Sequence, residues 1–513
     1  MPPLPPPPGF GGVWLTGPEA HTRASRISGP FRAEPTAYAV PRSVEEVGHL
    51  VEYARAEGVS IVPRGAGTGM PAGNLGPGIV VSLNEGLRQV GPVEGNRIRV
   101  EAGCTALQVE EAAEAADLTL PALPSSAQWC TVGGMVANNA AGARSFGHGP
   151  TSSRVVALEG ILASGNHFVA RRNDPAPGPF EGLARKLAPL ERALPERIPL
   201  RKNSSGYAWD RYRKTDDPAQ LLVGSEGTLA LITAATLRLA PRPETRGVQL
   251  LPVGDPDQAS ELALEVAEIG AVACEFLGRR FLEVAELLED PLLADLPAPP
   301  YALYLVEFEG STDAVESGLE AARSLGRRMG IPGELGRLGS SDPDQVHRLW
   351  ALRHRASPII ARQARFGRIS TQFIEDSVVP PSRLGAYLTG LEEILGRHEI
   401  DAVIFGHAGD GNVHVNPLIE VEAPDWLQRV RRVLDETVEL VAHLGGTLAG
   451  EHGDGRLRAP FMERIWGPEW SRLFREIKDH FDPLGCFNPG VIVPLPGQDP
   501  LNDFEPRPRS WPI

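Results

Sequence analysis

Three histidines and a glutamate fall in two glycine-held segments late in the chain. In Phe405-Gly-His-Ala-Gly-Asp-Gly-Asn-Val-His414 two imidazoles stand on either side of a turn that glycine makes possible. His407 ends one expected strand and His414 begins the next, so both rings can point at one ion. Asn416, two positions on, shares the strand face of His414. Gly450-Glu-His-Gly-Asp-Gly455 then sets a carboxylate beside an imidazole. Two histidines and one carboxylate suit Zn²⁺, Mn²⁺ or Fe²⁺ with positions left open for a substrate. His407, His414 and Glu451 are therefore the candidate ligands, and His452 remains as a base suited to work near neutrality. The plainer alternative is a pair of glycine turns with solvated histidines. Three of twelve histidines gathered in two such loops weigh against it.

The first half carries glycine of another kind. Pro63-Arg-Gly-Ala-Gly-Thr-Gly69 follows a short strand, and its close-spaced glycines let backbone N–H groups form an anion-binding nest. No Gly-Lys-Ser/Thr follows it and no long helix starts after it, which excludes a Walker A loop and a Rossmann fingerprint. Alone it fits a surface turn equally well. Thr131-Val-Gly-Gly-Met-Val-Ala-Asn-Asn-Ala-Ala-Gly-Ala-Arg-Ser-Phe-Gly147 is more informative. So many small side chains admit close backbone contact with a flat, bulky ligand, and the asparagines add hydrogen bonds. Leu222-Val-Gly-Ser-Glu-Gly-Thr-Leu-Ala-Leu-Ile232 reads as strand, turn and strand.

In this order and spacing the three segments resemble the FAD-binding domain of the vanillyl-alcohol-oxidase / p-cresol-methylhydroxylase flavoproteins, over roughly Pro41 to Pro241. The resemblance implies that Arg64, Gly65, Ala66, Gly67, Thr68 and Gly69 hold the pyrophosphate. It places Pro124, Ser125, Gly133, Gly134, Asn138, Gly142 and Ala143 along the flavin and ribityl chain. Glu226, Gly227 and Ile232 then reach the adenosine side. Lys202-Asn-Ser-Ser-Gly-Tyr207 also looks like a segment these proteins carry. The first loop lacks the histidine that tethers FAD in some members, so the cofactor is expected to be non-covalent.

The second half, from about Leu250 to Phe487-Asn-Pro-Gly490, resembles the substrate half of the FAD-linked D-2-hydroxyacid dehydrogenases, which act on D-lactate, glycolate or D-2-hydroxyglutarate. That resemblance implies His407, His414 and Glu451 as metal ligands and His452 as general base. Arg353 would clamp the substrate carboxylate, Asn416 would touch substrate, and Asn488 would touch the flavin domain. The implied reaction is hydride transfer from a small 2-hydroxy acid to flavin N5. One departure concerns Ile374-Glu-Asp-Ser-Val-Val-Pro380: several members carry a lysine shortly before this segment and this chain has none, which argues against a dicarboxylate substrate. The chain looks more like the flavin portion of large members fused to an iron–sulfur domain. Two rivals follow: a flavin subunit that needs a separate iron–sulfur partner, and a non-redox flavoenzyme of the alkyl-glycerone-phosphate synthase type.

The elements that must position these residues are those of an α+β protein. Ser43-Val-Glu-Glu46 has capping-box spacing ahead of a helix that runs to Gly58. Val59–Val62, Ile79–Leu83 and Arg97–Glu101 read as strands, and Thr105-x-x-Gln108 caps another helix. Beyond Pro241 the expected elements are a strand at Gln249–Leu251, a helix over Asp257–Ile269, and an alternating strand at Tyr301–Glu309. An arginine-rich helical stretch runs from about Gln345 to Phe366. Asp401–Phe405 and Val413–Asn416 are strands joined by a glycine turn, and a long amphipathic helix carries Leu427, Val430, Leu434, Val438 and Val441 on one face until Gly445. The implied organisation is an extension over 1–40, a two-part FAD-binding domain over 41–241, an α+β substrate or cap domain with an antiparallel sheet over 242–475, and a segment over 476–513 that returns to the first domain.

Composition sets the outer limits. A chain of 513 residues exceeds one core, and 42% hydrophobic with 22% charged residues is ordinary for a globular protein. The net charge of −15 speaks against nucleic acid, while a local basic pocket still admits an anionic substrate. Cys104, Cys130, Cys274 and Cys486 form no CxxC pair, so neither an iron–sulfur nor a structural zinc motif is present and the redox centre must be organic. The basic residues are nearly all arginine; the lysines are Lys186, Lys202, Lys214 and Lys478, which reads as composition bias. The opening MPPLPPPPGF lacks a signal peptide's regions and reads as a disordered or polyproline lead-in. No apolar run nears the roughly 18 residues of a membrane span. A cytoplasmic enzyme is expected, with a peripheral seat at the inner face of the membrane as the other option. Its electron acceptor would be a quinone, an electron-transfer flavoprotein or a separate iron–sulfur subunit, and a homodimer is the oligomer to test for.

Overall fold

The computed structural model describes residues 3–25, 27–174, 178–289, 293, 296, 298–331, 335–354, 360 and 367–506. Sequence alternation becomes sheet at once. In Arg97–Glu101 the apolar Ile98 and Val100 are buried while Arg97 and Arg99, alternating with them, are exposed, and the following Thr105 and Gln108 close a reciprocal capping box on the helix Ala106–Glu114.

Two sheets build the first half. One has four strands in the order Val13–Leu15, Ala37–Val40, Ile79–Ser82, Ile61–Arg64, the last three parallel, with the helix Val44–Glu57 supplying the crossover. The other is a five-stranded antiparallel sheet in the order Val90–Glu94, Arg97–Glu101, Ala230–Arg238, Val155–Leu162, His167–Arg171. The second half is an eight-stranded antiparallel sheet. Its centre runs Thr245–Val253, Ala302–Gly310, Ala273–Gly278, Asp401–His407, Asn412–Ile419. The helices Pro256–Glu268, Thr312–Arg328 and Leu384–Arg397 pack beside it. The mixed α+β class expected from sequence is thus the class observed, and the long strands of the second half fix the neighbours that the loops between them must reach.

After the helix Pro468–Phe481 the chain crosses back. The Ile61 N–H donates to Cys486 O and the Asn488 N–H donates to Ile61 O, both at 2.8 Å, which lays Phe487 parallel to the edge of the four-stranded sheet. The Lys478 ammonium is buried there and donates to Asp482 Oδ2, Phe487 O and Thr228 O at 2.6–2.8 Å.

Several expectations need correction. Ser43 accepts from Glu46 N–H as foreseen, but the Glu46 carboxylate reaches back past the cap to the N–H groups of Arg42 and Gly11, so the box is only half made. The strand expected at Val59–Val62 is Ile61–Arg64, displaced because Val59 N–H is still held by Ala54 O at the helix end. Leu222 ends a short helix, Pro218–Leu222, rather than a strand: Asp217 caps it and Pro218 starts it, leaving Ala230–Arg238 as the one strand of that segment. The proline lead-in packs against the first sheet, where the carbonyls of Leu4 and Pro5 accept from the Trp14 indole and the Tyr53 hydroxyl. Proline runs offer few donors but keep every acceptor, and two aromatic donors capture them. In the helix Trp426–His443, Val430, Leu434, Val438 and Val441 are buried while Leu427, in its first turn, faces solvent. Of the arginine-rich stretch, Pro343–His354 is helix, and 355–359 and 361–366 lie outside the described residues.

Candidate active site

Asp401–His407 and Asn412–Ile419 are neighbouring antiparallel strands, with Phe405 opposite His414 and His407 opposite Asn412. Gly411 turns the chain between them at φ +71°. Both histidines therefore project from one end of the large sheet, and both are buried. The loop Gly450–Gly455 comes alongside, tied by Gly450 N–H to Asp376 O and by the N–H groups of Glu451 and His452 to Asp376 Oδ2. It brings Glu451 Oε1 to 3.3 Å from His407 Nε2 and 3.2 Å from His414 Nε2.

These atoms suit a divalent ion. Candidate ligand atoms of His407, His414 and Glu451 all lie within 4.8 Å of one another. The far ring nitrogens are already engaged: His407 Nδ1 with Glu275 Oε1 at 2.5 Å, and His414 Nδ1 with the Glu375 carbonyl at 3.2 Å. Second partners of this kind fix the tautomer and leave Nε2 free for metal. Burial alone would raise the Glu451 carboxyl, but Lys202 and the two histidines hold it well below the usual carboxylate range.

His452 stacks on His414, ring centres 5.3 Å apart. Its Nδ1 meets both oxygens of Glu375 at 2.8 and 2.9 Å, and its Nε2 turns toward Glu451 Oε1 at 3.6 Å. Burial disfavours its charged form; Glu375 and Asp376 outweigh that and lift it to about 9. Arg458 answers the two carboxylates, bonding Glu375 at 2.6 Å and Asp376 at 3.3 Å. Arg353 approaches the same end of the sheet. Its Nε donates to Glu275 Oε2 at 2.8 Å and its guanidinium lies 4.5 Å from the centre of the Phe405 ring. Glu275, pulled up by burial but down by His407 and Arg353, stays ionised at about 2. Asn416 is buried on the same strand as His414 and bonds Ser370 Oγ at 3.3 Å.

The glycine-rich segments of the first half meet one another. A Cβ on Gly65 would lie 2.3 Å from Thr131 Oγ1, so the first loop rests on the start of the helix Val132–Asn138, where the same hydroxyl accepts from Gly134 N–H. Gly133 packs on Ala102, and a Cβ on Gly142 would meet Leu123 O at 2.0 Å, just before Pro124 and Ser125. Ala66, Thr68, Gly69, Gly133, Gly134, Asn138 and Ala143 are half-buried, while Gly67 is buried at φ +82°. Arg64 is buried too and donates to Ala24 O, so its backbone rather than its guanidinium borders this strip. Gly69, Asn74 and Asn138 make a polar corner: Asn74 Nδ2 donates to Gly69 O, and Asn74 Oδ1 is buried with no hydrogen-bond partner. An orphaned acceptor in a corner of small residues fits a flat ligand bearing N–H donors, as FAD does.

The remaining expected cofactor residues adjoin this strip or lie in the sheet beside it, with Glu226 N–H donating to Ala137 O at 2.8 Å. Ile232 is inside the five-stranded sheet, opposite Gly160. Glu226, at φ +50°, turns its carboxylate to the N–H groups of Asp454 and Gly455 at 2.7 and 3.0 Å, beneath the His452 loop, and Gly227 packs on Pro63. Asn488 spans the gap, donating to Gly73 O and Glu226 O at 2.8 Å and accepting from Arg456.

Sequence reasoning missed Glu275 and Arg458, and gave no site role to Lys202, Glu375 or Asp376 although it singled out the segments that carry them. Lys202 had a signal: in a chain with only four lysines among fifty cationic residues, it is fully buried and donates to Glu451 Oε2 at 2.8 Å. The Ile374–Pro380 segment was weighed for a lysine before it, while its own two acids hold the base and its loop. Glu275 and Arg458 carry no local signal.

Comparison with known proteins agrees with this geometry. Residues 35–171 match the FAD binding domain, and residues 242–492 match the C-terminal domain of the FAD linked oxidases. The chain is 30% identical to D-lactate dehydrogenase of Archaeoglobus fulgidus over 470 residues, covering 90% of this chain and 93% of the other. It is 29% identical to glycolate oxidase subunit GlcD of Bacillus subtilis, covering 90% of each. Against D-2-hydroxyglutarate dehydrogenase of Escherichia coli it is 27% identical and spans about half (51%) of that protein. Among solved structures, an alkyldihydroxyacetonephosphate synthase superposes with a TM-score of 0.60 at 16% identity, over 89% of this chain and 77% of the other, which is a likeness of fold.

Proposed function

This chain belongs to the FAD-linked oxidases, with D-lactate, glycolate and D-2-hydroxyglutarate dehydrogenases among its relatives, and from that premise we propose how its residues oxidise a small 2-hydroxy acid to the 2-oxo acid. The observation that carries the reading is the convergence of His407, His414, Glu451, His452 and the Glu275–Arg353 pair at one end of the large sheet. When bound, FAD supplies the hydride acceptor and a divalent ion an electrophile for the substrate hydroxyl. His407, His414 and Glu451 would hold the ion.

The chain's own work is positional. Arg353 binds the substrate carboxylate, where its planar fork gives two parallel bonds and fixes the α-carbon. Asn416, on the strand face of His414, is placed to meet the substrate's polar end. His452 takes the hydroxyl proton at Nε2 when its ring is neutral, with Glu375 occupying Nδ1 and orienting the ring. Because the neighbouring carboxylates lift His452 to about 9, the share of that neutral form, and the reaction with it, grows as pH rises toward 9. Small residues at 65–69, 124–125, 133–134, 138 and 142–143 border the cofactor. Glu226, Gly227 and Ile232 would reach the adenosine side of the cofactor, Glu226 also accepting from Asp454 N–H in the loop beneath His452, and Asn488 ties that region to the flavin domain.

D-Lactate and glycolate suit this site better than a dicarboxylate, since the lysine that several members place shortly before the Ile374–Pro380 segment is absent. Electrons leave for a quinone, an electron-transfer flavoprotein or a separate iron–sulfur subunit. Among the described residues no helix is long and apolar enough to cross a membrane. Anaerobic mixing of the flavin-loaded protein with a panel of D- and L-2-hydroxy acids tests the reading. Bleaching of the flavin by one enantiomer of a short monocarboxylate supports it, and no bleaching by any member rejects it.

A further inference from the structure

Glu275 stands where two separate tasks of the site meet. It lies on the strand Ala273–Gly278, whose pairing of Phe276 with Gly406 and Leu277 with Phe405 sets Glu275 beside His407. Its side chain is 1% exposed. One oxygen takes His407 Nδ1 at 2.5 Å and the other takes Arg353 Nε at 2.8 Å. Three residues before Arg353 on the same helix, Trp350 donates to Glu307 at 2.9 Å, and Glu307 also binds Arg144. The helix is thus pinned to the sheet by two buried carboxylates, so the position of Arg353 is set from Glu275 rather than by its own flexible stem.

We propose that Glu275 is a positioning residue shared by the metal ligand His407 and the carboxylate-binding Arg353, so that one buried carboxylate links ion affinity to substrate capture. The inference rests on the proposed roles of those two partners. An anionic partner at Nδ1 makes Nε2 the unprotonated, more basic nitrogen and so strengthens the bond to an ion. The same charge holds Arg353 with part of its donor set turned outward. Arg353 and His407 also compete for the one carboxylate. Removing the arginine therefore leaves Glu275 wholly to the histidine, whereas removing the glutamate weakens both.

The test uses the full-length flavin-loaded protein and reads binding rather than turnover. Zn²⁺ affinity is measured by competition with a chromogenic chelator. Monocarboxylate binding is measured by titrating propionate and following the flavin absorbance, or by competition against substrate. Glu275→Gln should weaken Zn²⁺ about ten- to hundredfold and weaken propionate as well. Arg353→Met should weaken propionate and leave Zn²⁺ binding as tight as in the parent or tighter. If Glu275→Gln does not fold, the double variant Glu275→Gln/Arg353→Met removes the buried cation together with its partner, and its Zn²⁺ affinity should still fall. Unchanged Zn²⁺ affinity in the glutamine variants, or a loss of Zn²⁺ with propionate binding intact, overturns the shared role alone. A parent protein that binds no Zn²⁺, Mn²⁺ or Fe²⁺ overturns the metal reading beneath it too.

Discussion

Asn138 Nδ2 donates to the backbone carbonyl of His452 at 2.7 Å, joining residues 314 apart in sequence. The glycine-rich helix that borders the cofactor thereby sets the height of the loop carrying the base. Asn138→Ala removes that tie and leaves a partly buried carbonyl unpaired. The expected cost is about 1 kcal/mol of stability and a fall in flavin reduction of about ten- to a hundredfold. Stopped-flow reduction with the flavin content matched is the measurement. A reduction rate equal to the parent's means that the loop keeps its place without this bond.

Lys202 and Glu451 form a buried ion pair whose other carboxylate oxygen faces two histidines. Removing one member of such a pair strands the other. Lys202→Met should therefore cost about 3–5 kcal/mol and release bound metal. Lys202→Arg should not restore it, because a planar fork does not replace a compact ammonium in a filled site. Urea denaturation and metal analysis of the three proteins decide it, and a stable, metal-replete Lys202→Met would remove Lys202 from the site.

Glu226 supplies a pH dependence. Burial first, and the nearby Asp454 second, raise its carboxyl from the ordinary 4.5 to about 8 in the folded chain. Between those values the folded state holds a proton that the unfolded chain has released. The contribution to stability is complete below about pH 4.5 and is lost as pH rises through 8. Denaturation midpoints taken at pH 5.5 and 8.5 should therefore fall with pH in the parent and fall less in Glu226→Gln. Equal slopes would mean that Glu226 is ionised throughout.

Metal and flavin should separate cleanly. Chelation, or His414→Ala, should lower turnover on the order of a hundredfold while the flavin stays bound, because His414 stands on a strand of the second-half sheet and the glycine segments that border the cofactor belong to the first half. Acid precipitation should release yellow flavin to the supernatant, as the loop 63–69 holds no histidine to tether it. Full activity after exhaustive chelation would take the ion out of the chemistry; colour retained in the pellet would establish a covalent link.

Much of this site was legible because its residues come in short, dense segments. His407, His414, Glu451 and His452 are spaced by local turns, and a glycine turn between two apolar runs brings strand ends together whatever else the chain does. The partners that orient them are not local. Glu275 reaches His407 from 132 residues away and Arg458 reaches Glu375 from 83 away, through strand order and loop packing that periodicity does not encode. Leu222 misled for a related reason: an apolar run beside glycines reads as strand, and the short Asp217-Pro218 cap that makes it helix is the weaker signal. Glu226 shows a third limit. Its position in a glycine turn was plain, but the direction of its side chain depends on which distant backbone N–H groups arrive there.

Phe487 and Asn488 complete the edge that Ile61 begins, and Phe504 meets Phe31. The sheet whose strands come first in the chain is therefore bordered by residues about four hundred positions later, Cys486 lying 427 from Val59. The cap half, whose strands run from Thr245 to Ile419, has all its partners sooner. Made from its N-terminus, the chain can complete the cap strands while the first sheet still lacks that border. A truncation that removes Cys486–Asn488 therefore damages the sheet that opens the sequence.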